Sequence, residues 1–410
     1  MASSAIDRAR QPLSSAPFAD PGFASGRVRL ESIDVLRGVV MIIMALDHVR
    51  DFFHTGAYHF SPEDLRQTYG FLFFTRWITH FCAPTFVFLS GVSVRLAAAK
   101  RPGRGALAKH LIARGLWLIL LEWTVFEFMW TFNFHYQLVV LQVIWVIGWG
   151  MILLAGLIWL PERVVAVLAV ATILLHNAFD RVSLPGLWAI LHRPTLLKLG
   201  TTPVFELYPL IPWVAVLAAG YCFAPVFRLD DERRRRILIR LGLAMTAAFF
   251  VLRFANIYGD PQLWSTQRTF ELTAISFFRT LKYPPSLIFL LMTLGPAMLA
   301  LGLMDRVRVS EGNPLRVFGR VPMFYYACHF YLIHAAALVF SYLRYGRWDY
   351  FLHMPGALIG LPDPTFPQDW GYNLAIVYVI WVALATLLYF PCRWMLGVKQ
   401  RSRAWWLSYV

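Results

Sequence analysis

Cysteine is scarce and charge is scarcer still than the length suggests. Among 410 residues there are four cysteines, Cys82, Cys222, Cys328 and Cys392, all inside apolar segments and none forming a C-x-x-C pair. That rules out a disulfide framework and argues against a zinc knuckle. Charged residues make up only 15% of the chain against 58% hydrophobic, and the mean hydropathy is +0.56. No soluble domain of this length hides so much apolar surface. The first 30 residues lack an apolar core segment, so they read as a disordered cytoplasmic leader and not as a signal peptide. Basic soluble stretches are missing too, so the net charge of +15 is no nucleic-acid footprint. It fits topology and attraction to anionic membrane lipid instead.

Long apolar runs are what the chain has. Ten segments match a hydrocarbon core ~30 Å thick: Ile33–Phe53, Phe71–Ala97, Leu111–Phe132, Leu138–Leu160, Val164–Phe179, Tyr208–Phe227, Ile237–Ile257, Ser286–Met304, Val321–Leu343 and Leu374–Met395. The expected fold is therefore all-α: a polytopic membrane protein of about ten helices around a polar cavity. Basic clusters at Arg95 to Arg114, Arg233–Arg236, Arg306 to Arg320 and Arg393 to Arg403 put both termini in the cytoplasm. The transmembrane domain spans 31–398, followed by a basic cytoplasmic tail at 399–410. Three outer loops, Asp180–Leu207, Tyr258–Pro285 and Arg344–Asn373, are rich in aromatics and proline and read as ordered, interface-hugging elements.

The first segment carries the most informative spacing. Arg37 and His48 are eleven positions apart with no charge from Gly38 to Leu46. At 100° per residue both side chains share one stripe, about 16 Å apart along the axis. An ionisable side chain there costs ~2.5–3.5 kcal/mol on insertion scales, so it faces protein or an aqueous cavity. Other polar groups concentrate in the outer halves of their spans: Arg76 and His80, Glu122 and Glu127 with His135 beyond them, and His329 and His334 beside Tyr325 and Tyr326. These predict a cavity opening outward, with Arg37 at its inner end. Each residue also has a plainer reading. Arg37 can pair with Asp34 or snorkel to headgroups, a lone histidine commonly bonds a carbonyl, and the tyrosines suit packing.

Ile33-Asp34-Val35-Leu36-Arg37-Gly38 followed by Asp47-His48 resembles the opening of the transmembrane acyltransferase superfamily, whose acyltransferase-3 proteins carry an Arg, ten residues, then a catalytic His. Further stretches resemble a bacterial branch of integral membrane proteins grouped with the catalytic domain of heparan-alpha-glucosaminide N-acetyltransferase. They include Phe73 to Pro84, Tyr208 to Trp213, Lys282 to Leu287, Gly319 to Tyr326 and Cys392-Arg393-Trp394. The resemblance implies acetyl-CoA or another acyl-CoA as co-substrate, with no metal, and an envelope glycan or glycolipid as acceptor. It places the chain in the bacterial inner membrane among lipids, with homo-oligomer formation left open and no nucleic-acid partner.

It also implies His48 as the base, with Asp47, Glu122 or another carboxylate setting its tautomer, and Arg37, Arg76, His80 and His329 on the donor. In the lysosomal acetyltransferase the catalytic histidine lies in the loop after the first helix, before a Trp-Asn-Gly run absent here. On that analogy the base is His54 or His59; His48 is preferred and His54 held in reserve. Neither Ser nor Cys sits in a nucleophile motif, which favours His, as general base or as acyl-imidazole. A proton-coupled transporter would need similar polar residues, yet no paired Gly/Pro-broken spans appear in the two halves. A haem protein could use the histidines as ligands, and a non-catalytic sensor or scaffold would keep the fold without the chemistry.

Overall fold

The computed structural model describes residues 30–98, 101, 103–182, 184, 187–352, 366–402, 404 and 407. The expected leader, apart from Leu30, and the middle of the third outer loop lie outside the described residues. Each of the ten expected spans falls on helix. The first is α1 (Glu31–Phe53); the second is α2 (Gly70–Thr79) and α3 (Cys82–Ala98). They are separated where Pro84 cannot donate back to the preceding turn. The third is α4 (Arg104–Leu121), a π-helical turn at Glu122–Phe126, and α5 (Glu127–Thr131). Then come β1 (Val139–Leu141), α6 (Val143–Leu157), α7 (Glu162–Leu175) with a 3₁₀ turn at His176–Phe179, α8 (Leu187–His192), β2 (Thr195–Leu199) and β3 (Thr202–Glu206). The remainder is α9 (Leu210–Phe223), α10 (Asp231–Ala255), α11 (Phe270–Phe278), α12 (Leu287–Met304), α13 (Pro314–Arg320), α14 (Pro322–Tyr345) and α15 (Leu374–Arg401). The basic tail thus begins inside α15, whose last turn carries Lys399 and Arg401.

Among the described residues seven helices are long and apolar enough to cross a membrane. α1 is missing from the seven because charges crowd both its ends, the α4–α5 span because it carries Arg104, Lys109, Arg114, Glu122 and Glu127, and α6 because it is short. The chain is a mostly helical polytopic membrane protein. The helices divide by surroundings: α7, α10 and α15 turn most of their apolar side chains outward, as lipid-facing helices must, whereas α1 is buried along most of its length. It packs against α2, α3, α12, α13, α14 and α15. Gly38 allows the closest of these approaches. A Cβ there would stand 1.9 Å from the Leu315 carbonyl oxygen, and one at Gly319 would stand 1.7 Å from that of Asp34. Two backbones in contact leave room only for hydrogen. The short α13, capped by the Asn313 side chain, thereby fixes the inner end of α1, and Arg320 reaches Asp34 at 3.8 Å.

The structure corrects the fourth span. Residues 138–142 do not begin a helix: β1 pairs in parallel with β3, and β2 closes an antiparallel hairpin on β3 through Gly200-Thr201. Two carboxylates hold β1 in place. Glu122 accepts the Gln142 N–H at 2.7 Å and Glu127 the Val140 N–H at 3.1 Å. Residues five apart on an α-helix point 140° away from each other; the π turn between them lets both serve one strand. The all-α expectation holds for the membrane helices, with this small sheet added in the α5–α6 and α8–α9 connections.

Candidate functional site

α1 carries two polar regions, and the structure treats them separately. Toward its N-terminal end Arg37 lies beside a cavity of about 320 Å³. Its guanidinium donates to the Ser93 hydroxyl and the Leu89 carbonyl and stands 3.7 Å from Asp34. His110 and Arg114 on α4 and Lys399 on α15 also line the cavity, so Arg37, Arg114 and Lys399 make its mouth basic. Above them the walls turn apolar, with Met41, Met44, Phe86, Leu118, Ile147, Met151 and Met323, and Tyr326 near the top. The spacing of His110 and Arg114, one turn apart at the start of a span, was readable in the sequence. Their meeting with Arg37 and Lys399 was not, because it joins residues nearly 290 positions apart.

One turn above Met44 on the same helix stands His48. Its ring packs against Phe330 (4.6 Å between centroids), His329 (5.4 Å) and Trp130 (5.6 Å). The His329 ring lies 5.7 Å from that of Tyr326, so the two histidines sit directly over the end of the cavity. His329 Nδ1 is engaged with the Tyr325 carbonyl at 3.0 Å, which directs Nε2 elsewhere. Buried polar atoms gather here without hydrogen-bond partners in the protein: His48 Nδ1, His329 Nε2, Trp130 Nε1 and the Tyr325 hydroxyl. Such groups are uncommon in protein interiors and mark a place built for something other than packing.

The carboxylate nearest His48 is Asp51, with Oδ2 3.6 Å from Nδ1. Asp47, expected in that role, belongs to another set. Neighbouring residues on a helix point 100° apart, and the Asp47 carboxylate turns to Arg50, at 2.8 Å, and to Arg76 of α2. Arg76 also lies 3.6 Å from Glu63, and Glu63 3.1 Å from His80 Nε2. Arg50 bonds Asp51 as well, so one continuous chain of charges runs from beside His48 to His80. Arg76 and His80, grouped with Arg37 as donor-binding, are therefore held in this outer network and do not line the cavity; neither does His329. Glu63 is a member that span-by-span reasoning missed, because it lies in the loop after α1. Burial alone would raise its pKa, but the His80 hydrogen bond and the charges of His80, Arg76 and Lys282 bring it down to about 2.

His54 is buried, and its Nδ1 accepts the Gly56 N–H at 3.0 Å. Burial, and then the Arg50 charge, push its pKa down to about 4. The lone pair a base would use is already occupied. Trp370 and the Tyr372 backbone tie the third outer loop to the end of α1, covering this corner. His334 bonds the Met129 and Phe351 carbonyls at 2.7 and 2.8 Å and so braces α5 against α14, the plainer reading for a lone histidine.

The sequence profile of the family described as heparan-alpha-glucosaminide N-acetyltransferase, catalytic, matches residues 29–264. No curated protein matches the chain. The matched stretch covers more than half of the chain and runs from α1 to just past α10, so it includes Arg37, His48, the outer network and most of the cavity wall.

Proposed function

This chain belongs to the heparan-alpha-glucosaminide N-acetyltransferase catalytic family, and on that premise we propose that it is a membrane acyltransferase. It takes an acyl group, most simply acetyl, from cytoplasmic acyl-CoA and delivers it to a hydroxyl or amine of a carbohydrate at the outer face of the bacterial inner membrane. The observation that carries this reading is the cavity. A mouth made basic by Arg37, Arg114 and Lys399, with His110 beside them, opens into an apolar passage that ends one helical turn below His48. That order of surfaces suits a CoA thioester. Its phosphates pair with cations at the mouth, its thin pantetheine arm follows the apolar walls, and the thioester reaches the level of Met44 and Tyr326.

In this reading His48 removes the acceptor's proton as the acceptor oxygen or nitrogen attacks the thioester carbonyl. The thiolate of CoA leaves and is protonated, and the acceptor carries away the acyl group. Asp51, 3.6 Å from Nδ1, stabilises the imidazolium that forms. Trp130, at 5.6 Å, brings its indole N–H to the same place, and His329, at 5.4 Å with its Nδ1 hydrogen given to the Tyr325 carbonyl, brings the acceptor Nε2. His54 is the rival base, and to act it would have to release the Gly56 N–H from Nδ1. Asp47, Arg76 and His80 hold α1, α2 and the following loop in register.

The test uses full-length protein reconstituted in vesicles and labelled acetyl-CoA. Label is expected to reach carbohydrate only when the donor is on the side of the Arg37 mouth, and acetyl-CoA is expected to raise the melting temperature. Purified protein that neither transfers label nor is stabilised by any acyl-CoA would overturn the reading and return the polar residues to a transporter or scaffold role.

A further inference from the structure

A second cluster of chemistry-bearing side chains lies at the outer end of α7, apart from the α1 site. His176 and Asp180 are four residues apart, and His192 ends α8 twelve residues later. One ligand atom from each of the three lies within 4.8 Å of the others. His192 Nε2 is 3.1 Å from Asp180 Oδ1, and the two imidazole rings cross at 72° with centroids 5.6 Å apart. Both histidines are almost fully buried, 3% and 1% exposed. Neither ring nitrogen of His176 has a hydrogen-bond partner, nor does Nδ1 of His192. A buried imidazole with both nitrogens idle costs free energy that packing does not return.

We propose that His176, Asp180 and His192 form a binding site for a divalent transition-metal ion, zinc by preference. Two neutral imidazoles and one carboxylate are a donor set that zinc accepts with three protein ligands and a fourth position for water. The harder cations, calcium and magnesium, take oxygen donors and would leave the imidazoles unused. Bonds of 2.0–2.2 Å in tetrahedral geometry place ligand atoms roughly 3.4 Å apart. The Asp180–His192 pair already stands near that separation at 3.1 Å, and His176 brings the third ligand atom within 4.8 Å of both.

The surroundings hold the carboxylate as a ligand is held. Asn177 donates to Asp180 Oδ2 at 2.8 Å, and its own side-chain oxygen accepts the Leu287 N–H at 2.8 Å. The orientation of Asp180 is thus set from the start of α12, and Arg193 fixes the Asp180 main chain through its carbonyl. Supporting bonds of this kind tune metal affinity. Trp188 covers His192 at 5.1 Å. A metal here would staple the end of α7 to α8, and so to the hairpin of β2 and β3, on the face that the basic asymmetry marks as outer. The sequence reading anticipated no metal; it could not bring His192 back to the end of a span.

The site is tested on full-length protein stripped with chelator and titrated with Zn²⁺ alone, then with Co²⁺ as a spectroscopic substitute. One equivalent of zinc per chain is expected, with a rise in melting temperature and visible Co²⁺ bands of a four-coordinate site. His192→Gln and Asp180→Asn should each weaken binding at least tenfold and lose the bands. Should a variant fail to fold, X-ray absorption of the wild-type zinc form decides: nitrogen and oxygen neighbours support the site, whereas sulfur neighbours overturn it. Wild-type protein that retains no zinc above the variants' level overturns it as well.

Discussion

Arg37 and Asp47 stand ten residues apart on one helix, and the protein around them handles their charges in opposite ways. Arg37 keeps a hydroxyl, a carbonyl and Asp34 near it, and beside these lies a cavity of about 320 Å³. Asp47 is closed in by Arg50 and Arg76, which are themselves tied to Asp51 and Glu63, and it does not line that cavity. A charge with volume beside it can add an anionic ligand to its partners. A charge saturated by protein neighbours can only hold the fold. Exposure separates the two poorly, since Arg37 and Arg76 side chains are 18% and 16% accessible. What distinguishes them is the space next to them and the sign of what fills it.

The largest effect is expected where the two regions meet. His48→Ala should lower the rate of acyl transfer ~10²–10⁴-fold, the range for loss of a positioned general base. Acyl-CoA affinity should stay near wild type, because His48 sits above the cavity and does not line it. Label transfer and thermal-shift titration on the same preparation separate these outcomes. A His48→Ala protein that transfers at the wild-type rate, while His54→Ala does not, moves the base into the loop.

Next in size is the outer network. Arg76→Ala leaves Asp47 and Glu63 each short of a cation in a confined setting. Removing one partner of a buried pair costs ~3–5 kcal/mol, so the melting temperature should fall steeply even with acyl-CoA present. Arg37→Ala should do the reverse. Stability should change little, while affinity for acetyl-CoA drops tenfold to hundredfold, as expected for one charge-assisted contact worth ~1.5–3 kcal/mol. If Arg37→Ala proves the less stable protein and Arg76→Ala the weaker binder, the contrast between the two regions is reversed and the cavity loses its claim.

How much of this could be read without the structure depends on the range of each contact. The stripe holding Arg37 and His48 is a local property of one helix, and the spacing alone placed both on it. Asp51 is equally local, three residues from His48, yet the sequence points to Asp47, Glu122 or another carboxylate without singling it out. Adjacency along the chain is separation around a helix. The ten spans were legible because apolar length decides them. β1 was not, because Val139-Val140-Leu141 looks like the start of the apolar run that follows. What makes it a strand is the pair of carboxylates, Glu122 and Glu127, arriving from another span. The cavity mouth failed for the same reason, since His110, Arg114 and Lys399 meet only after folding.

Glu206 extends the comparison to a charge that has neither a cation nor a cavity. At the end of β3 it is fully buried, and neither carboxylate oxygen has a hydrogen-bond partner. Burial pushes its pKa from 4.5 up to about 9, so the folded protein keeps this proton where the unfolded chain releases it. The folded state then binds more protons between about 4.5 and 9, and this part of stability is lost as pH rises through that window. Glu63 works in the other direction. With its pKa drawn down to about 2 by His80 and Arg76 against the effect of burial, its contribution is present above 4.5 and lost as pH falls from there toward 2. Melting temperature measured from pH 3 to 9.5 should therefore drop at both ends. Glu206→Gln should flatten the alkaline side only, and Glu63→Gln the acidic side only, each by a smaller amount than Arg76→Ala removes at any pH. A Glu206→Gln protein whose alkaline slope equals that of wild type would mean that this carboxylate carries no extra proton in the folded state.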